Sequence, residues 1–169
     1  MITKENLLFL FGLLFLASCS PPSPAYDTLI TNALIYDGTG EKPYLGSVAI
    51  KGDTIVAMGD IEGTAVNMVD AQGKALAPGF INVLSWANVS LIEDGRSLSD
   101  LKQGVTLEVM GEGRSMGPLN EAMKAEMKED QSDIKYDIPW TTLGEYLQFL
   151  EDKGVATNIT SFVGNGTLR

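Results

Sequence analysis

From residue 78 to residue 169 the chain alternates short apolar strands with helical segments. Phe80–Trp86 reads as a strand of the buried type, and Leu91–Gln103 as a helix stopped by Gly104. Val105–Met110 (VTLEVM) is the next strand, followed by a helical composition rich in Met, Ala, Lys and Glu over Pro118–Glu129. Thr141 or Thr142 can cap a further helix through Asp152, with Gly154 as its stop. Glu145, three residues after Thr142, completes a capping-box spacing. Ala156–Val163 is a third strand. Strands alternating with helices imply parallel βα units.

Before Pro78 the rhythm differs. Asp27–Tyr36 reads as an apolar-rich strand pair, ended by the turn Asp37-Gly38-Thr39-Gly40. Ser47–Lys51 alternates, Gly52-Asp53 turns the chain, and Thr54–Met58 follows. Val66–Asp70 and Lys74–Leu76 add strands around the Gln72-Gly73 turn. This spacing predicts hairpins in a small sandwich.

The expected fold class is therefore α/β: a small N-terminal β-sandwich segment over residues 26–77, then the first βα units of an incomplete (β/α)8 barrel over 78–169. A closed barrel needs eight units and about 250 residues. Three strands cannot close one, and an open sheet would expose apolar edges. The chain reads as an N-terminal portion of something longer.

Residues 1–18 read as a secretory signal. Lys4 supplies a positive charge, and Leu7–Leu16 is an apolar run too short to span a bilayer. Leu16-Ala17-Ser18-Cys19 looks like a bacterial lipobox, which makes Cys19 the lipidated first residue of the mature protein. Residues 19–25, with Pro21-Pro22-Ser23-Pro24, form a short extended tether. The expected location is the bacterial cell envelope, on the outer membrane, with Cys19 as the membrane attachment. As the sole cysteine, Cys19 leaves no partner for a disulfide within the chain. A formal net charge of −10 argues against a nucleic-acid partner, since neutralising phosphates takes clustered Lys and Arg.

Several segments resemble the amidohydrolase superfamily, and within it the N-acyl-D-amino-acid deacylase (D-aminoacylase) branch. Tyr26–Ile30 with Tyr36–Gly40 is similar to that family's opening strand and turn. Val69–Lys74 through Ala77–Ile81 is similar to its approach to the first barrel strand. Gln103–Thr106 matches the second, and Gly144–Leu147 with Val163–Arg169 the third. The order of the segments makes the likeness specific. It implies a hydrolase acting on carbon–nitrogen bonds of linear amides, with a small-molecule N-acyl amino acid as substrate. It also implies one or two divalent metals, usually zinc, that activate water and polarise the amide.

The chain departs from that pattern where metal chemistry is concerned. The family's paired histidines on the first strand correspond to Leu84 and Trp86, and the chain has no histidine at all. Neither side chain offers zinc a lone pair. The family's asparagine-cysteine segment after the second strand is Gly111-Glu112-Gly113 here, which makes Glu112 the candidate metal ligand. Arg114 and Arg169 are candidates to hold a substrate carboxylate in a bidentate pair. Glu108, inside a strand, is expected to meet a polar partner or the barrel mouth, and Asn82 to play a structural role rather than to hydrogen-bond in the barrel. Trp86 is expected to fill the space of the missing histidine and metal.

These features leave three readings open. One is an amide hydrolase whose remaining ligands lie beyond Arg169, holding one zinc or other divalent metal rather than two. Another is a non-catalytic binding lipoprotein on a degenerate hydrolase scaffold. The last is a truncated product that does not fold stably. No metal is expected on the 169-residue chain alone.

Overall fold

The computed structural model describes residues 23–168. They divide into two compact units, one ending at Pro78 and the other beginning at Gly79. The signal segment, Cys19 and Arg169 lie outside the described residues.

The first unit holds β1 (Tyr26–Ile35), β2 (Tyr44–Lys51), β3 (Thr54–Gly59), β4 (Ala65–Asp70) and the two-residue β5 (Ala75–Leu76). They form one sheet in the order β3-β2-β1-β4, with β5 pairing farther along β1. Only β1–β2 and β2–β3 are antiparallel. The hairpin reading therefore holds for the first three strands and is corrected for the last two, which lie parallel to β1. Short turns between apolar runs suggest hairpins, but the segment after β3 crosses to the far edge of β1.

The expected strand pair over Asp27–Tyr36 is a single strand with an irregularity at Asn32. Asn32 adopts φ 53°, and the β1–β2 register shifts between Ile30 and Ala33. One extra residue reverses the side-chain alternation. Ile30, Ala33 and Ile35 therefore pack together with Val48 and Ile50 despite their uneven spacing. Asp70 secures the irregularity. Its Oδ1 accepts from Asn32 Nδ2 at 3.0 Å and from the backbone N–H of Gln72 at 2.9 Å.

The second unit contains a parallel sheet, β6 (Phe80–Asn82), β7 (Val105–Met110) and β8 (Asn158–Ser161), in that order. Its helices are α1 (Ser90–Glu93), α2 (Leu98–Leu101), α3 (Glu121–Glu129) and α4 (Leu143–Lys153). Leu91, Met110, Met116, Leu119, Trp140, Tyr146 and Leu150 form its core. Trp140 anchors this core, its indole N–H donating to Met116 O at 2.8 Å and its ring 5.1 Å from those of Tyr146 and Phe149.

Boundaries shift where polar side chains compete for the backbone. The Phe80–Trp86 strand ends early because Asn82 Oδ1 accepts from Leu84 N–H at 3.2 Å and bends the chain. The expected Leu91–Gln103 helix is two short helices. Asp94 accepts from Arg96 N–H at 3.0 Å, and Gly95 O accepts from Ala156 N–H at 2.8 Å. A Cβ on Gly95 would stand 2.5 Å from Gly154 O, so this break needs glycine. Asn120 caps α3 by accepting from Met123 N–H at 2.9 Å, which places the helix start after Pro118. The Thr142–Glu145 capping box and the Gly154 stop of α4 form as expected.

Candidate functional site

In a parallel sheet the loops leaving the C-terminal strand ends gather on one side, where sites commonly form. Here those loops follow β6 (residues 83–89), β7 (111–120) and β8 (162–168). The last two are laced together through Ser115 and Thr167, both buried. Ser115 N–H donates to Thr167 Oγ1 at 2.8 Å, and Gly164 N–H donates to Ser115 Oγ at 2.9 Å. Ser115 Oγ in turn donates to Gly117 O at 2.6 Å, while Gly166 N–H donates to Gly113 O at 2.7 Å. Gly164 lies so close that an added Cβ would meet Arg114 Cα at 2.6 Å.

This lacing holds Arg114 at a cavity of about 700 Å³. Trp86, Asn88 and Val89 from the loop after β6 line it, with Met116, Leu119 and the methionines of α3. Tyr146 fixes one wall, its hydroxyl donating to Asn88 O at 2.7 Å. Burial is the main cause that pushes the Tyr146 phenol above its ordinary 10.0, with smaller contributions from Tyr136 and Glu108. Tyr146 is therefore a neutral donor at all physiological pH values. The side-chain Oδ1 of Asn88 is buried and has no hydrogen-bond partner among the described residues.

The sequence candidates fall in different places. Arg114 lines the cavity and Trp86 stands at its edge, 71% exposed. Leu84 is 49% exposed. Glu112 is exposed between Gly111 and Gly113, both at positive φ, and is not part of the cavity lining. Arg169 and Cys19 lie outside the described residues.

Glu108 is fully buried on the face of β7 that also carries Met110, the face covered by helices. Three hydroxyls donate to it: Ser85 at 2.6 Å, Ser97 at 2.6 Å and Thr157 at 2.8 Å. Of the two expectations for Glu108, the polar partner is what the structure has. Ser85 Oγ also accepts from Ala87 N–H at 3.2 Å, so Glu108 braces the turn that carries Trp86. Asn82 ties its strand to α2, its Nδ2 donating to Asp100 Oδ1 at 3.0 Å. Sequence reasoning missed Asn88, Ser115 and Thr167. Each is a small polar residue in a loop, and its role depends on contacts from segments 49 to 58 positions away.

The residues that the sequence resemblance puts at metal-ligand positions do not gather metal donors. Leu84 and Trp86 are carbon or indole side chains, and Glu112 stands without a second ligand. Among the described residues no three His, Cys, Asp or Glu side chains gather into a metal-holding group.

No family model matches the chain. It is 32% identical over 145 residues to N-acyl-D-aspartate deacylase of Alcaligenes xylosoxydans xylosoxydans, covering 85% of this chain and 29% of that protein. Its homologues are D-aminoacylase-type deacylases. D-aminoacylase of the same organism is 28% identical over 152 residues, 87% of this chain and 31% of its own length. A solved structure of D-aminoacylase with a binuclear metal center superposes with a TM-score of 0.72 at 29% identity, covering 85% of this chain and 30% of that one. N-acyl-D-glutamate deacylase from Bordetella bronchiseptica, solved with zinc and a phosphonate inhibitor, gives 0.68 at 27% identity over the same shares. The chain thus has a mixed α/β fold similar to the N-terminal portion of D-aminoacylase, and it spans about 30% of the length of the relatives it matches.

Proposed function

We propose that the chain is the N-terminal portion of an exported hydrolase acting on carbon–nitrogen bonds of linear N-acyl amino acids, with the paired-histidine metal motif lost. The single observation that carries this reading is the likeness to D-aminoacylase across 85% of the chain, at a TM-score of 0.72. On this reading the first unit belongs to a small β-sandwich, and β6, β7 and β8 begin a (β/α)8 barrel. Substrate meets the loops after those strands, with Arg114 and Arg169 as the candidates to hold its carboxylate. When bound, the metal supplies an activated water and a polarised carbonyl. Leu84 and Trp86 contribute nothing to holding it, so a form extending beyond Arg169 holds one metal rather than two. Glu112 is the candidate oxygen ligand of this portion, and it needs partners from beyond Arg169. Lipidation of Cys19 anchors the protein in the envelope.

A second reading is a non-catalytic binding lipoprotein on the same scaffold. The apolar Leu84 and Trp86 at the ligand positions, beside a preformed cavity, favour it. Turnover of N-acyl-D-amino acids by a form extending beyond Arg169, with and without a chelator, separates the two. Chelator-sensitive release of the amino acid supports the hydrolase. Binding without turnover sinks it and supports the binder.

A further inference from the structure

The cavity differs from a general amide site in having separate apolar and cationic parts. Its volume, about 700 Å³, lies in the range of small-molecule pockets. Met116 and Leu119 form a buried floor, and Met123 and Met127, one helical turn apart on α3, extend it. Unbranched methionine side chains adapt to a flexible apolar chain. Arg114 is the one cation among the lining residues, and none of the described ion pairs includes it. Glu126, Asp130 and Asp133 also line the cavity, are exposed, and disfavour an anion at the α3 side.

We propose that this cavity selects N-acyl amino acids with an extended apolar acyl chain. The acyl chain lies along Met116, Met123 and Met127, and the carboxylate pairs with Arg114. The proposal rests on the amide-ligand reading above and adds the acyl specificity to it. A short acetyl group leaves the methionine floor uncovered, whereas each added methylene removes apolar surface from water.

Binding is the readout, so that hydrolysis does not enter. Tryptophan fluorescence of the 169-residue chain carrying Trp140→Phe, which leaves Trp86 as the emitter, is titrated with N-acetyl-, N-butanoyl- and N-hexanoyl-D-alanine. Affinity rises about fourfold per added methylene. Met123→Glu, placed on a half-buried helix position, abolishes this chain-length dependence while circular dichroism stays unchanged. Arg114→Ala weakens the acids at least tenfold but leaves N-hexanoyl-D-alaninamide unaffected. Equal affinity across the series, or a folded Met123→Glu chain that keeps the dependence, overturns the proposal. So does hexanoate binding as tightly as N-hexanoyl-D-alanine. Should a longer form hydrolyse N-acyl amino acids with no preference for chain length, the hydrolase reading stands and the cavity assignment falls.

Discussion

Asn32 and Glu108 show how single residues decide what their segments do. Asn32 holds φ 53° and thereby flips the alternation of β1, a role that asparagine tolerates and β-branched residues do not. Asn32→Val is expected to cost about 2 kcal/mol, and Asn32→Gly much less, in urea unfolding. The strand itself is legible in Tyr26–Ile35, but the reversal is not, because an asparagine between apolar residues equally suits a turn. In sequence Glu108 reads as a strand carboxylate that meets either a polar partner or the barrel mouth. Its alternation with Met110 puts it on the helix side instead, among Ser85, Ser97 and Thr157. Glu108→Ala strands three buried or half-buried hydroxyls and is expected to destabilise by about 3 kcal/mol. Glu108→Gln keeps the shape and should lose less than half of that in the same measurement.

Elements were readable where a local device sets them. Val105–Met110 is bounded by Gly104 and Gly111, and α4 begins at a capping box whose two halves both form. Thr142→Ala is expected to remove about 1 kcal/mol. Backbone N–H groups of Thr142 and then Thr141 hold the Glu145 carboxyl below its ordinary 4.5. Its folded value is depressed, so its contribution is complete above about pH 4.5 and is lost as pH falls through the lower folded value. A Glu145→Gln chain should accordingly show a shallower loss of stability in that acid window. Asp94 follows the same sign more strongly. The Arg96 side chain, then its backbone N–H, holds Asp94 at about 2 against an ordinary 3.8, so an NMR titration should show it ionised at pH 3. The broken Leu91–Gln103 helix was not readable, because Gly95 meets Gly154 and Ala156 some 60 positions later.

At the scale of the molecule, the order of strands and helices after Pro78 carried the α/β class, and the ordered segments from Tyr26 to Arg169 carried the likeness to deacylases. The cavity was not visible, since Ser115, Thr167 and Asn88 come together only through the loops after three different strands. Large apolar side chains remain exposed in the second unit, among them Phe80, Val83, Trp86 and Phe162. Exposed patches of this kind drive association. Light scattering of the 169-residue chain should therefore report oligomers, which mild detergent disperses. The central claim concerns metal: Leu84, Trp86 and an isolated Glu112 cannot hold it, whatever a longer form does. Elemental analysis of the 169-residue chain after saturation with zinc and dialysis tests this most directly. We expect less than a tenth of an equivalent retained. One tightly held zinc per chain would contradict the account.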